Sequence, residues 1–199
     1  MNSKVIKMLL VLSITAAVSG GILAKVFHFA DPLIKENKRR ELQEAIFVVL
    51  PEAKEYKTIE KEIGKEKLIV YKGIDANGSP VGIAFEANGG GFQGNIKIMV
   101  GLSTDYLKLK AIKVLEQNET PGLGNRIKEP AFEGQFKGLE IKPKVEYIKY
   151  RKPEKPNQIT AITGATISSD AVVKNINNAV EKVLKNFPSE EIVKGEVLK

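Results

Sequence analysis

The 199-residue sequence contains no cysteine. That excludes a disulfide framework, ligation of an iron–sulfur cluster by this chain and a thiol nucleophile. Histidine is nearly absent too: the single one, His28, stands at the edge of an apolar segment. One imidazole cannot build a histidine metal cluster, and a Ser-His-Asp relay has no support here. His28 reads as an amphipathic residue at a membrane interface. Redox chemistry, if the chain performs any, therefore has to come from a bound organic cofactor. Charge is one-sided, with a formal net value of +7, but the lysines are scattered. No arginine-rich tract or basic-aromatic platform stands out, so nucleic acid is not an expected partner. A diffuse basic surface suits anionic lipid or an acidic partner subunit.

The N-terminus carries a long apolar run. Met8–Ala24 has no charge and is bounded by Lys7 and Lys25. Extended to Val5–Ala30, it is long enough as a helix to cross a hydrocarbon core of about 30 Å. One transmembrane anchor, residues 1–30, is expected, with membrane lipid as its partner. A cleaved signal peptide is the rival, but no small-x-small site leads into a polar start. Lys4 and Lys7 precede the run, while Lys25, Lys35, Lys38, Arg39 and Arg40 follow it. Counting charges puts the C-terminal side in the cytoplasm, although large domains translocate largely regardless of such counts.

The remainder is long enough for one domain with a real core. Asp31-Pro32 reads as an N-cap followed by proline at the first helical position. A helix is then expected up to Leu50, with Leu42, Ala45, Ile46, Val49 and Leu50 on one face. Residues 31–66 are assigned to this juxtamembrane helix and a linker. Lys67–Ile74, Pro80–Glu86, Asn95–Leu102 and Leu107–Glu116 read as strands in antiparallel succession, with Asn77-Gly78 turning the first pair. A short helix over Glu129–Gly138, a strand over Lys144–Tyr150 and an amphipathic helix over Ser169–Phe187 complete a domain at 67–187. A charged tail, 188–199, follows. The expected fold class is α+β: one transmembrane helix, then a single domain with an antiparallel sheet packed by helices.

Three segments carry candidate chemistry. Gly89, Gly91 and Gly94 match G-x-G-x-x-G, but a strand follows instead of a helix, which excludes a dinucleotide fingerprint. The segment is a strand-to-strand loop or a backbone wall for a flat ligand. Glu119-Thr120-Pro121-Gly122-Leu123-Gly124 is a turn, or a clamp for an aromatic ring bearing carbonyls and ring nitrogens. Thr163-Gly164-Ala165-Thr166-Ile167-Ser168-Ser169 precedes the last helix. It is an N-cap, or a site where a helix start meets an anion. The residues alone leave each pair of readings open.

The run ETPGLG (119–124), followed by TGATISS (163–169), resembles the FMN-binding domain family. That family includes the G subunits of Rnf-type ferredoxin:NAD+ oxidoreductases and the C subunits of sodium-pumping NADH:quinone reductases. The likeness covers essentially the whole chain, from the N-terminal apolar helix to the helix after TGAT. It implies FMN esterified through its phosphate to Thr166, attached after export by a separate FAD-dependent flavin transferase. It also implies cofactor contacts from Thr163, Gly164, Ala165, Ser168, Glu119, Thr120, Gly122, Leu123 and Gly124. The other subunits of an Rnf-type complex are the implied partners, and the outer face of the cytoplasmic membrane is the implied location. No catalytic side chain and no metal ligand is expected. Ser168 or Ser169 is expected to cap the last helix, with Thr166 just ahead of it. The family usually carries aspartate three residues before the first threonine of the motif, where this chain has Thr160. The alternatives are the quinone-reductase subunit or, in a different class, an anchored scaffold that uses TGAT only as a cap.

Overall fold

The computed structural model describes residues 3–64 and 66–189. The chain divides into two units, one ending at Leu42 and one beginning at Gln43. The charged tail read at 188–199 lies outside the described residues from position 190 onward.

The first unit is most of one helix, α1 (Ser3–Val49), which is long and apolar enough to cross a membrane. Leu9, Leu10, Leu12, Ile22 and Leu23 are all exposed on it. Apolar side chains exposed all round a helix require a non-aqueous surrounding. A second helix starting at Asp31 does not form. α1 runs through Pro32 without a break, although an interior proline removes one helical hydrogen bond and crowds the preceding turn. The Asp31 carboxylate accepts from Lys35 Nζ at 2.7 Å, one turn on, and caps nothing.

The second unit contains the sheet. Five strands, β1 (Glu55–Ile63), β2 (Glu66–Ile74), β3 (Pro80–Gly90), β4 (Asn95–Leu102) and β5 (Leu109–Gln117), form an antiparallel meander in sequence order. Four of them are the expected strands. The fifth, β1, falls in the stretch read as linker. Most of its side chains are exposed, and only Tyr56 and Ile59 are half-buried, so it carries little of the alternation that betrays a strand. Its backbone pairs with β2 over its full length.

Register aligns the core. Val70, Phe85, Val100 and Ile112 stand in one cross-strand row, and each is at most 2 % exposed. Cross-strand neighbours of this kind are the unit of sheet stabilisation. Helix α3 (Thr166–Asn186) covers this face with Val172, Val173, Ile176, Val180 and Val183. The end of α1 covers the other face, where residues alternate outward. There the backbone of Val49 lies so close to Gly101 that a Cβ on the glycine would overlap the Val49 carbonyl oxygen. Between β5 and α3 come a 3-10 turn (Gly124–Lys128), the one-turn α2 (Pro130–Glu133), a second 3-10 turn (Gly134–Phe136), and the short parallel pair β6 (Glu146–Ile148) and β7 (Gln158–Thr160). The expected helix at 129–138 is thus split in two, and the expected strand at 144–150 shrinks to three residues.

The meander places the β3–β4 turn and the exit of β5 at the same end of the sheet, since Gly90 pairs with Asn95 and Ile96 with Gln117. The candidate residues gather at that end.

Candidate functional site

The turn between β3 and β4 is closed by Gly91 N–H donating to the Gly94 carbonyl at 2.6 Å. A strand follows Gly94, as the sequence requires once a dinucleotide fingerprint is rejected. The next turn in space is the ETPGLG segment. Leu123 N–H and Asn125 N–H both donate to the Thr120 carbonyl, at 3.1 and 3.2 Å. Gly122 adopts φ +77° and donates its N–H to Asn125 Oδ1 at 2.8 Å. Only glycine enters that region without steric cost.

The third segment starts α3 earlier than expected. The helix begins at Thr166, and its N-cap position is Ala165, which offers no side-chain cap among the described residues. Neither serine caps it. Ser169 lies inside the first turn. Its hydroxyl donates back to the Ala165 carbonyl at 3.0 Å and accepts the Ile162 N–H at 3.0 Å. Ser168 is buried and donates to Glu119. The reason is local. Gly164 at φ +84° turns the chain sharply enough for the helix to start at once. The N–H groups of Thr166, Ile167 and Ser168 therefore have no partner within the helix and form its positive end.

Glu119 binds the three segments together. It is 4 % exposed. One carboxylate oxygen accepts the N–H of Phe92 at 2.9 Å and of Gln93 at 3.1 Å, from the β3–β4 turn. The other accepts the Ser168 hydroxyl, from α3. Gly91 and Gly124 pack directly on this pair. A Cβ on Gly91 would overlap Glu119 Oε1, and one on Gly124 would lie 2.5 Å from Ser168 Oγ.

These elements enclose an open cavity of about 300 Å³. Of the residues singled out from the sequence, Glu119, Thr120, Leu123, Gly124, Gly164, Ala165, Thr166 and Ser168 line it. Thr163 and Gly122 are exposed beside it and shape the two turns. Thr166 is half-buried at the helix start. Its hydroxyl shares the cavity with Glu119, the one charged residue of the lining. Sequence reasoning named Phe92 only as part of the glycine loop and missed Ile167 and Tyr150 as site residues. All three line the cavity, and with Leu123 they are exposed by 60, 59, 79 and 48 % in the order Phe92, Ile167, Tyr150, Leu123. Four large apolar side chains held in water around one cavity mark a surface made for a ligand. For Tyr150 a signal was present: an aromatic between Lys149 and Arg151, beside a proline-containing loop, gains little from a core.

The FMN-binding domain family model matches residues 91–181, which include every element of this cavity. The G subunit of the ion-translocating oxidoreductase complex of Methanosarcina acetivorans is 31% identical over 186 residues, 92% of this chain and 96% of that one. The G subunit of the Na+-translocating ferredoxin:NAD+ oxidoreductase complex of Acetobacterium woodii is 33% identical over 190 residues, 89% of this chain and 90% of that one. Among solved structures, NqrC of Shewanella oneidensis superposes with a TM-score of 0.56 at 22% identity, over 74% of each chain. The C subunit of the Na+-translocating NADH-quinone reductase of Parabacteroides distasonis gives a TM-score of 0.59 at 16% identity, over 76% of this chain and 94% of that one. At these identities the two structures speak to the fold, and they share it.

Proposed function

Because the chain belongs to the FMN-binding domain family, with the G subunits of ion-translocating oxidoreductase complexes as its relatives, we propose that it is the membrane-anchored flavoprotein subunit of an Rnf-type ferredoxin:NAD+ oxidoreductase. In this reading it carries FMN on Thr166 and relays electrons between cofactors of neighbouring subunits. The observation that carries the reading is the meeting of ETPGLG and TGATISS on one cavity, joined through Glu119 and Ser168.

The residues present fit the group. FMN has an anionic end and a planar, largely apolar end. An uncapped helix start, with three N–H groups that have no helical partner, suits the phosphate. The rim of Phe92, Leu123, Tyr150 and Ile167 suits the ring. Bound flavin would supply electron transfer, which no side chain of this sequence offers. The chain's own part is to hold it. Thr166 Oγ forms the phosphoester while the pyrophosphate bond of FAD breaks, AMP departs and the hydroxyl proton is given up. A threonine hydroxyl is a poor nucleophile without a base. The one carboxylate in the lining, Glu119, is already engaged by three donors. The base therefore comes from outside, which is the role of an FAD-dependent flavin transferase. Gly164, exposed beside Thr166, leaves that enzyme room. Linkage through the phosphate leaves the ring free to exchange electrons.

The other proposed partners are the remaining subunits of the complex, with the flavin domain on the outer face of the cytoplasmic membrane. Protease treatment of right-side-out vesicles should digest the domain, and protection would refute that orientation. The cofactor assignment is tested by co-expression with a flavin transferase and ultraviolet imaging of the denatured protein in a gel. A fluorescent band for the parent chain, lost in Thr166→Ala, is expected. A dark parent band would favour the scaffold reading, in which the helix start binds nothing covalently.

A further inference from the structure

We propose that Tyr150 is the side chain that stacks on the isoalloxazine ring, an inference that rests on reading the cavity as the flavin site. Three independent features of Tyr150 converge. Its ring lines the cavity yet is 79 % exposed, the most exposed of the four rim side chains. A large aromatic held that far into water gains little from burial in its own fold. Its backbone sits at φ +59°, in the left-handed region. A bulky residue persists there only when its surroundings over-determine the conformation, and such positions cluster at ligand clamps.

The surroundings do over-determine it. Two residues before it, the Ile148 carbonyl accepts the Ala161 N–H at 2.9 Å. One residue after it, the Arg151 carbonyl accepts the Thr160 hydroxyl at 2.9 Å. Thr160 is itself fixed, since its N–H donates to Gln135 Oε1 at 2.7 Å and its carbonyl accepts Gln135 Nε2–H at 3.2 Å. Tyr150 is thus suspended between two anchored neighbours, at a point where it lines the cavity. The same bond accounts for threonine at position 160. An ionised aspartate there has no proton to donate and would face the Arg151 carbonyl with a like partial charge. Phe92, on the opposite turn, lines the cavity through a backbone tied to Glu119 and has no such strain.

The test reads flavin emission. A tyrosine in contact with an excited flavin donates an electron to it and takes it back without light, so emission is lost. Leucine and phenylalanine cannot do this. The full-length chain, loaded by co-expression with a flavin transferase, is compared native and after denaturation in detergent. Native parent protein should be several-fold dimmer than the same sample denatured. Tyr150→Leu should remove most of that difference, Tyr150→Trp should keep it, and Thr160→Val should weaken it. A bright denatured band with equal quenching in parent and Tyr150→Leu overturns the proposal while leaving the flavin assignment standing. A dark denatured parent band removes the flavin assignment and this proposal together. Tyr150 is largely exposed, so the leucine variant retains the core, and circular dichroism provides the check on its fold.

Discussion

The Ser168 hydroxyl donates to the Glu119 carboxylate across 49 residues of sequence, and this bond ties the last helix to the loop that follows β5. The opposite oxygen of the same carboxylate holds two N–H groups of the β3–β4 turn. One buried acid therefore bonds to two of the three segments from within the third. Removing it orphans three donors. Glu119→Ala should lower the unfolding free energy by about 3 kcal/mol, since each hydrogen bond to a buried charge contributes about 1.5–3 and the donors partly rehydrate. Glu119→Gln keeps one oxygen for the two N–H groups and presents an amide that Ser168 Oγ can accept, so its cost should be nearer about 1 kcal/mol. Urea unfolding measures both, and equal losses would show that the charge of the carboxylate, which glutamine lacks, carries the whole effect.

The glycines beside Glu119 should behave differently from glycines elsewhere in the same region. In Gly124→Ala the new methyl would meet Ser168 Oγ at 2.5 Å and Glu119 Cβ and Oε2 at 2.8 Å. Overpacking of this kind costs about 1–3 kcal/mol. At Gly134 nothing lies within 4 Å of the added Cβ, and the backbone is already helical at φ −62°. Gly134→Ala should be neutral or should stabilise by about 0.5 kcal/mol, because alanine narrows the unfolded ensemble. Thermal unfolding of the two variants side by side decides it. A neutral Gly124→Ala would mean that the Glu119–Ser168 contact can shift at no cost.

The second unit should fold without the first. Ala45, Ile46, Val49 and Leu50 at the end of α1 are at most 3 % exposed, and the unit that contains them begins at Gln43. A chain starting at Gln43 should be soluble and unfold cooperatively. A chain starting at Lys67 loses both these side chains and β1. Each large apolar side chain removed from a core forfeits about 1.5–3 kcal/mol, so several together exceed the stability of an ordinary domain. That shorter chain should show no cooperative transition by calorimetry.

How much was legible follows the hydrophobic pattern. β4 places Ile96, Ile98, Val100 and Leu102 at alternate positions, all buried, and that periodicity could be read directly. β1 could not, because its apolar residues Tyr56, Ile59 and Ile63 are three and four apart, the spacing of a helix face, and it joins the sheet through its backbone. At the site, the residue types of ETPGLG and TGATISS announced turns and a helix start. The serines were misjudged because capping is a one-segment argument. Ser168 answers to Glu119, and no local rule sees a partner 49 residues away. For Tyr150 the flanking charges gave a signal, but the bonds that anchor the residues around it come from Thr160 and Ala161, about ten positions on.

Tyr150 and Tyr106 share a left-handed backbone, at φ +59° and +57°, and replacing each by glycine should destabilise only at Tyr106. A non-glycine residue in that region carries about 1–2 kcal/mol of steric cost, which glycine relieves. At Tyr106 the ring is 6 % exposed and part of the core, so Tyr106→Gly forfeits the burial of a large aromatic, about 3–5 kcal/mol, and the net effect is loss. At Tyr150 the ring is 79 % exposed, and little burial is given up. Tyr150→Gly should therefore leave thermal stability unchanged or raise it by up to about 1 kcal/mol, after the greater freedom of glycine in the unfolded chain is set against the relief. A side chain whose removal costs the fold nothing, at a backbone position that disfavours it, is free to serve a ligand. A clear drop in the unfolding midpoint of Tyr150→Gly would show that the ring packs on its own chain, and would count against a role over the flavin.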